Sequence, residues 1–177
     1  MQRWRVPLGF VCAALFFVFS RPRPLTLAIG GAVALPGLAL RAWATGHLRK
    51  NDALATTGPY AYTRNPLYLG SFVMGLGFTI ASGRLILGII FAALFLGIYV
   101  PVMRVESATL TQLFGERYLG YVNVVPLFLP RFSPYRNGAK EKNKFDAKLY
   151  KRYREYRAAI GMTVAWALLA LKAFYFR

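Results

Sequence analysis

Long apolar stretches recur along this 177-residue chain and limit the folds that it can adopt. A helix needs about 20 apolar residues to cross the hydrocarbon core, where it satisfies its own backbone hydrogen bonds. The pattern predicts an all-α fold, a polytopic membrane helical bundle that forms a single integral membrane domain over residues 1–177. Several stretches are shorter than a full crossing needs, so four spans are the alternative to five. The five predicted transmembrane helices cover about residues 6–20, 25–44, 66–81, 85–103 and 160–176.

The composition combines two properties that conflict in a soluble protein. Hydrophobic residues make up 56% of the chain, yet the formal net charge is +17. A membrane protein reconciles them, because apolar spans lie in lipid while basic residues gather beside anionic headgroups. A basic nucleic-acid-binding protein is the rival class, but the long apolar runs argue against it. We therefore expect a lipid bilayer around the chain and no nucleic acid as partner.

The distribution of loop charges predicts the orientation. If the N-terminus lies inside, the outer loops carry Arg21, Arg23 and Arg84, whereas twelve lysines and arginines fall in the inner segment 104–157. Cytoplasmic loops carry an excess of such residues. We expect an integral protein of a bacterial or archaeal cytoplasmic membrane. Its N-terminus, the 58–70 stretch and the basic segment between the fourth and fifth helices would then be cytoplasmic.

The basic segment 104–157 divides into three predicted parts. Residues 104–122 continue the fourth span as an amphipathic helix, because their apolar side chains recur every three or four residues. Residues 124–138 form an irregular, proline-punctuated crossing. Residues 140–159 predict a basic helix that lies on the headgroups.

The second span, 25–44, contains two unusual features. Pro36 and Gly37 are expected to break its middle, where freed backbone groups need partners in neighbouring helices. Arg41 lies near its end, from which a long side chain can reach the membrane interface.

The stretch GPYAYTRNPLYLG, residues 58–70, carries more polar chemistry than a connection between helices needs. Arg64 is either a residue that snorkels to the interface or a planar bidentate donor for a carboxylate or phosphate. Tyr60, Tyr62 and Tyr68 are either interfacial tyrosines or the walls of a pocket that attracts a cation. Pro66 favours the start of the third helix.

The chain has only six acidic residues, and one of them differs in position from the rest. Glu106 follows the 85–103 span by three residues, so it is either a functional carboxylate at the membrane boundary or an ion-pair partner of Arg104 or of an arginine of the preceding loop. The other five lie among basic residues, and we interpret them as solvated ion pairs. They are Asp52, Glu116, Glu141, Asp146 and Glu155.

A metal site is not expected. Cys12 and His47 are the only cysteine and histidine, and one of each does not make the usual zinc cluster. Cys12 is interpreted as a small apolar residue within a span. His47 is interpreted as a polar residue at the interface.

One spaced set of motifs resembles the isoprenylcysteine carboxyl methyltransferase family of membrane proteins. Phospholipid N-methyltransferases are similar in the same region, and the likeness covers about residues 41–130. The set consists of Gly58-Pro59-Tyr60, Arg64-Asn65-Pro66, Tyr68, Gly70, Glu106, Leu110, Phe114-Gly115, Tyr118, Tyr121 and the crossing from Pro126 to Pro130.

The resemblance implies a methyltransferase that uses S-adenosyl-L-methionine on the cytosolic side. It also implies a lipophilic acceptor from the bilayer, although a small-molecule acceptor is equally allowed. Arg64 and Glu106 are the implied catalytic residues. The implied cofactor contacts are Tyr60, Arg64, Asn65, Tyr68, Leu69, Glu106, Tyr118 and Tyr121.

Two departures from the family pattern leave the acceptor open among a carboxylate, an amine and a thiol. Asn65 stands where many relatives have a histidine, and it cannot transfer protons. Ser107 stands where relatives often have a second glutamate. Two alternatives remain: a nicotinamide-dependent membrane reductase of the related sterol-reductase type, and a non-enzymatic membrane subunit.

Overall fold

A computed structural model describes residues 13–49, 53–136 and 144–175, and every regular element within these ranges is helical. Residues 13–19 form α1, and a single 3₁₀ turn covers Gly58–Ala61. The other helices are α2 (Pro24–Thr45), α3 (Pro66–Ala81), α4 (Leu85–Phe114), α5 (Glu116–Val122), α6 (Ala147–Arg152) and α7 (Tyr156–Tyr175).

Three of these helices, α2, α4 and α7, are long and apolar enough to cross a membrane. The apolar helix α3 has 16 residues, which at a rise of 1.5 Å per residue extend about 24 Å and fall short of a core of about 30 Å. The predicted all-α membrane bundle is confirmed. Most of the predicted first span lies outside the described residues, and its part at 13–19 is helical.

The closest helix packing joins α2 to α3 through two pairs of glycines. A Cβ atom at Gly30 would lie 2.4 Å from the carbonyl oxygen of Gly77, and one at Gly77 would lie 2.5 Å from that of Gly30. Gly37 and Gly70 repeat the arrangement, with 2.7 Å in each direction. Small residues let helix backbones approach closely in a membrane, where van der Waals packing drives association. The Gly37–Gly70 pair holds the start of α3, and hence the 58–70 stretch, against the second half of α2, while Gly30 and Gly77 join the first half of α2 to the last part of α3.

Two predicted features of the spans were wrong. Pro36 lies inside α2 without ending it, so Pro36 and Gly37 do not break the second span. Instead, Gly37 provides the close contact with α3. The fifth span begins at Tyr156, four residues before its predicted start.

The basic segment 104–157 follows its prediction only in part. The fourth span does continue as a helix, but that helix ends at Phe114 because Gly115 takes a φ of +52°, and α5 starts at Glu116. Residues 123–136 are irregular, as expected. The predicted basic helix over 140–159 was wrong where it is described. Asp146 caps a six-residue helix by accepting a hydrogen bond from the Lys148 N–H at 2.7 Å, and a turn follows, with φ of +54° at Arg154.

Lys172 of α7 binds the end of α1. Its Nζ donates to the carbonyl oxygen of Phe17, to that of Val18 at 3.0 Å and to Ser20 Oγ at 3.4 Å. The ammonium also lies 4.8 Å from the centre of the Phe17 ring. Terminal helix carbonyls lack intrahelical partners, and a cation at this end of a helix is favourable. Lys172 therefore joins the two ends of the described chain.

We expect Lys172→Met to destabilise the protein by about 1.5–3 kcal/mol, because charged hydrogen bonds to the α1 carbonyls are lost. Thermal unfolding in detergent measures the effect. Lys148→Met is the matched control, since the Lys148 side chain is exposed on α6. Equal melting temperatures for both variants and the native chain would contradict this role.

Candidate functional site

A cavity of about 590 Å³ opens beside the 58–70 stretch, between the C-terminal parts of α2 and α4 and the start of α3. Ligand pockets typically enclose about 300–1,000 Å³. Seven of the eight predicted cofactor contacts line it, namely Tyr60, Arg64, Asn65, Tyr68, Glu106, Tyr118 and Tyr121. Leu69 is not among the lining residues, and its role as a cofactor contact stays a prediction. Successive helical residues point about 100° apart, so Leu67, Tyr68 and Ser71 face the cavity while Leu69 faces elsewhere.

Arg64 lines this cavity and has one buried, unsatisfied donor. Its Nη1 donates to Ser107 Oγ at 3.2 Å, and its backbone N–H donates to the carbonyl oxygen of Pro126 at 3.0 Å. Its Nε is buried, with no hydrogen-bond partner among the described residues. A buried donor without a partner costs about 1–3 kcal/mol. Because water does not reach Nε, a ligand in the cavity meets the rest of the Arg64 side chain, which lines the wall.

Ser107 connects two walls of the cavity. It accepts hydrogen bonds from Arg64 on one side and from the hydroxyl of Tyr118, at 2.9 Å, on the other. Tyr118 is only 2% exposed and belongs to an apolar cluster with Tyr121 and Val125. Because a neutral hydroxyl stands at position 107, no carboxylate cancels the charge of Arg64 there.

Glu106 is exposed to the cavity rather than paired. Among the described residues it lies within ion-pair distance of no lysine or arginine, so the alternative pairing with Arg104 is not formed. The Tyr68 hydroxyl donates to Glu106 Oε2 at 3.4 Å, and the ring of Tyr68 lies 5.3 Å from that of Tyr99. A carboxylate beside aromatic rings suits a cationic ligand.

The two remaining tyrosines of the predicted site are neutral donors. Burial, followed by the charge of Glu106, raises the pKa of Tyr60 well above its usual value. Burial also raises the pKa of Tyr121, while the nearby Arg64 charge lowers it by less. The Tyr121 hydroxyl donates to the carbonyl oxygen of Tyr60 at 2.7 Å. Both hydroxyls therefore stay protonated across the physiological pH range and do not act as bases.

Asn65 has a structural contact in addition to its place on the cavity. Its side-chain Nδ2 donates to the carbonyl oxygen of Leu127 at 2.9 Å. The neighbouring Thr63 hydroxyl donates to the carbonyl oxygen of Phe128, also at 2.9 Å. These bonds attach the irregular residues after α5 to the 58–70 stretch.

An ion pair beside the cavity was missed by the sequence analysis. Arg41 lines the cavity, and its Nε donates to Glu155 Oε1 at 2.6 Å while Nη1 donates to Ser71 Oγ at 2.5 Å. The interpretation of Glu155 as solvated was wrong, because the residue is only 9% exposed. Arg41 is likewise half-buried rather than free at the interface. Gly30, Ala34, Gly37 and Arg41 are spaced so that they share one face of α2. That spacing was the sequence signal that Arg41 lies on a packed face.

His47 is also buried rather than interfacial. Its Nδ1 lies 3.0 Å from the carbonyl oxygen of Trp43, so this nitrogen carries the proton. A Cβ atom at Gly58, where φ is +60°, would lie only 2.6 Å from His47 Cδ2. His47 does not line the cavity, and its contact with Gly58 instead shapes the start of the 58–70 stretch. Within the described ranges, no three His, Cys, Asp or Glu side chains gather as a metal site would require.

Comparison with known proteins places this geometry in a family. The model of the phospholipid methyltransferase family matches residues 30–117, which include Arg64, Glu106 and Ser107. The chain is 36% identical over 143 residues to the cobalt-zinc-cadmium resistance protein CzcN of Cupriavidus metallidurans, covering 75% of this chain and 64% of that protein. It is 33% identical over 144 residues to the nickel-cobalt-cadmium resistance protein NccN of Alcaligenes xylosoxydans xylosoxydans, covering 76% and 66%.

An enzyme is also among the relatives. The chain is 32% identical over 81 residues to the protein-S-isoprenylcysteine O-methyltransferase of Schizosaccharomyces pombe, covering 46% of this chain and 34% of the enzyme. This chain thus spans slightly less than two thirds of the two resistance proteins and about a third of the enzyme. No solved structure gives a significant match. With the motifs around Arg64 and Glu106 gathered at one cavity, the chain belongs to the integral membrane methyltransferase family of the isoprenylcysteine carboxyl methyltransferases and phospholipid methyltransferases.

Proposed function

We propose that this protein uses S-adenosyl-L-methionine to methylate a lipophilic or small hydrophobic acceptor at the membrane surface. The observation that carries the proposal is the cavity itself. It brings together a carboxylate with no ion-pair partner among the described residues, an arginine and several tyrosine rings beside the apolar helices. The charge distribution supports a cytoplasmic position for this site.

The residues fit the chemistry of the proposed methyl donor. That molecule has an ammonium, a carboxylate and a sulfonium group. Glu106 suits the ammonium, and the guanidinium of Arg64 suits a carboxylate. The faces of Tyr68 and Tyr99 suit a cation such as the sulfonium. When bound, the donor supplies a methyl group on a positively charged sulfur that is already activated toward a nucleophile.

The contribution of the chain is mainly positioning. Because the methyl donor is already activated, no strong acid or base is needed, which agrees with the protonated Tyr60 and Tyr121 and with Asn65 in place of a histidine. Two effects supply a large part of the rate acceleration in such a reaction: the reactants are held in the right geometry, and water is excluded. Arg64 and Glu106 would fix the orientation, while Tyr118 and Tyr121 close the inner wall.

The acceptor is proposed as a carboxylate, an amine or a thiol on an apolar molecule. An anionic acceptor is compatible with Arg64, because Ser107 leaves its charge uncancelled. Labelled methyl transfer into a membrane lipid extract, and then into small thiols and amines, identifies the class. Two relatives are named for metal resistance, so membranes from cells grown with cobalt, zinc or cadmium are a useful additional source of acceptors.

We expect Glu106→Gln to weaken binding of S-adenosylmethionine, or of its demethylated product, by about 10- to 100-fold. Loss of one charged hydrogen bond, worth about 1.5–3 kcal/mol, accounts for this factor. Calorimetry of the purified protein measures it. Glu116→Gln is the control, since Glu116 is exposed and does not line the cavity.

Two results would contradict the proposed function. One is an absence of binding of either compound together with binding of a reduced nicotinamide, which would favour the membrane reductase. The other is equal affinity of the native chain and Glu106→Gln, which would remove the carboxylate from the cofactor site.

A further inference from the structure

The irregular residues 124–135, here called the proline segment, lie beside the apolar part of the bundle. The ring of Phe128 packs edge-on against Phe72 of α3 at 5.6 Å and lies 6.3 Å from Phe95 of α4. Phe95 precedes Arg104 by nine residues, a rise of about 13 Å along the helix. Phe128 therefore lies beside the apolar span of α4 and not beside the polar residues that begin at Arg104.

The backbone of the proline segment suits this position. Non-helical backbone near lipid is tolerated where its polar groups are satisfied within the protein. Three prolines, at 126, 130 and 134, remove donors that would otherwise need partners. Five other backbone groups bond to residues 61–65: the carbonyl oxygens of Pro126, Leu127 and Phe128 accept hydrogen bonds, and the N–H groups of Arg131 and Tyr135 donate them, at 2.9–3.0 Å.

Two large apolar side chains of the segment point away from the protein. Leu129 is 71% exposed, and Phe132 is fully exposed. Leaving such a side chain in water forgoes about 1.5–3 kcal/mol of burial. Basic residues accompany them: Arg136 is exposed, while Arg131 donates to the carbonyl oxygen of Val124 at 3.4 Å and to Ser133 Oγ at 3.0 Å. Apolar tips with basic neighbours match the boundary between acyl chains and anionic headgroups.

We propose that Leu129 and Phe132 insert into the leaflet that borders the cavity, with phospholipid acyl chains as their partner. The proline segment is then an interfacial anchor. Its backbone groups bond to the 58–70 stretch on one side, and its exposed apolar side chains contact lipid on the other. The anchor is continuous with the site. Val125 belongs to the cluster of Tyr118 and Tyr121, and Tyr135 packs against it. Insertion of the tip thus holds the inner wall of the cavity at a constant depth relative to the membrane.

Spin-label accessibility in vesicles tests the anchor. The full chain with Cys12→Ala and Phe132→Cys is labelled with a nitroxide and placed in vesicles of phosphatidylcholine and phosphatidylglycerol. Collisions with oxygen, which concentrates in hydrocarbon, are compared with collisions with a water-soluble paramagnetic chelate. The matched control is Glu116→Cys on α5, which is exposed. We expect an oxygen-to-chelate ratio several-fold higher at 132 than at 116.

Two outcomes would overturn the proposal. Equal ratios at 132 and 116 would place the tip in water. Exclusion of both reagents at 132 would indicate a protein partner in place of lipid. Leu129→Cys repeats the measurement three residues away. Both labelled positions are exposed, so neither label disturbs internal packing. The result does not depend on methyl transfer, and failure here leaves the proposed function intact.

Discussion

Turnover is expected to fall by about 10- to 100-fold when Arg64 is replaced by lysine, although the positive charge is kept. Lysine lacks the planar fork that lets one arginine donate to Ser107 through Nη1 while its guanidinium also lines the cavity. The estimate corresponds to the loss of a charged hydrogen bond worth about 1.5–3 kcal/mol. Initial rates of labelled methyl transfer, compared as kcat/KM, measure the loss.

Matched variants separate this effect from a loss of charge or fold. Arg117→Lys changes an exposed arginine of α5 that does not line the cavity, and we expect no change in rate. Ser107→Ala removes the acceptor for Arg64 and Tyr118 while keeping Arg64, and an intermediate loss is expected. Thermal unfolding confirms that each variant is folded. Full turnover in Arg64→Lys would reduce Arg64 to a residue that sets membrane topology.

Replacing Gly70 with leucine is expected to prevent stable packing of α3 on α2. A Cβ atom at this position would lie 2.7 Å from the carbonyl oxygen of Gly37 and 2.7 Å from Arg41 Cγ. Because one of these contacts is with backbone, the helices must separate, and we expect destabilisation of about 3 kcal/mol or more. Thermal unfolding in detergent and the yield of monodisperse protein measure the effect.

Gly97→Leu is the control for this change. Gly97 also lies in an apolar helix, but no described atom lies within 4 Å of a Cβ built there. We therefore expect near-native stability. A Gly70→Leu protein that unfolds at the native temperature would show that the two backbones do not approach as closely as described. Activity lost with stability retained would instead indicate displacement of Arg41.

Local signals explain what could be predicted. The apolar runs indicated α2, α3, α4 and α7, and Pro66 marked the start of α3 because proline suits a first helical turn. The residues around Arg64 were found for a similar reason, since the spacing of a motif is visible in one stretch of chain. The structure then brings them together with Glu106 at the cavity.

The remaining features depend on distant contacts. Glu155 stands among basic residues, so its neighbours in the chain predicted a solvated carboxylate, whereas its partner Arg41 comes from another helix. Which face of α3 meets the cavity also depends on packing, so the motif alone did not indicate that Leu69 lies off the cavity wall. The basic stretch after residue 140 has good helix formers, but the turn that carries Glu155 to Arg41 interrupts it.

The pairing of Arg41 with Glu155 also has a consequence for biosynthesis. The two residues are 114 positions apart, so a ribosome that adds about 5–20 residues per second needs roughly 6–23 s between them. In that interval the glycines can already join α2 to α3, while the guanidinium of Arg41 has no carboxylate partner. The charge of Arg41 is neutralised only after Glu155, which directly precedes α7, has been synthesised. A nascent chain that stops before Glu155 lacks the carboxylate that neutralises this half-buried cation.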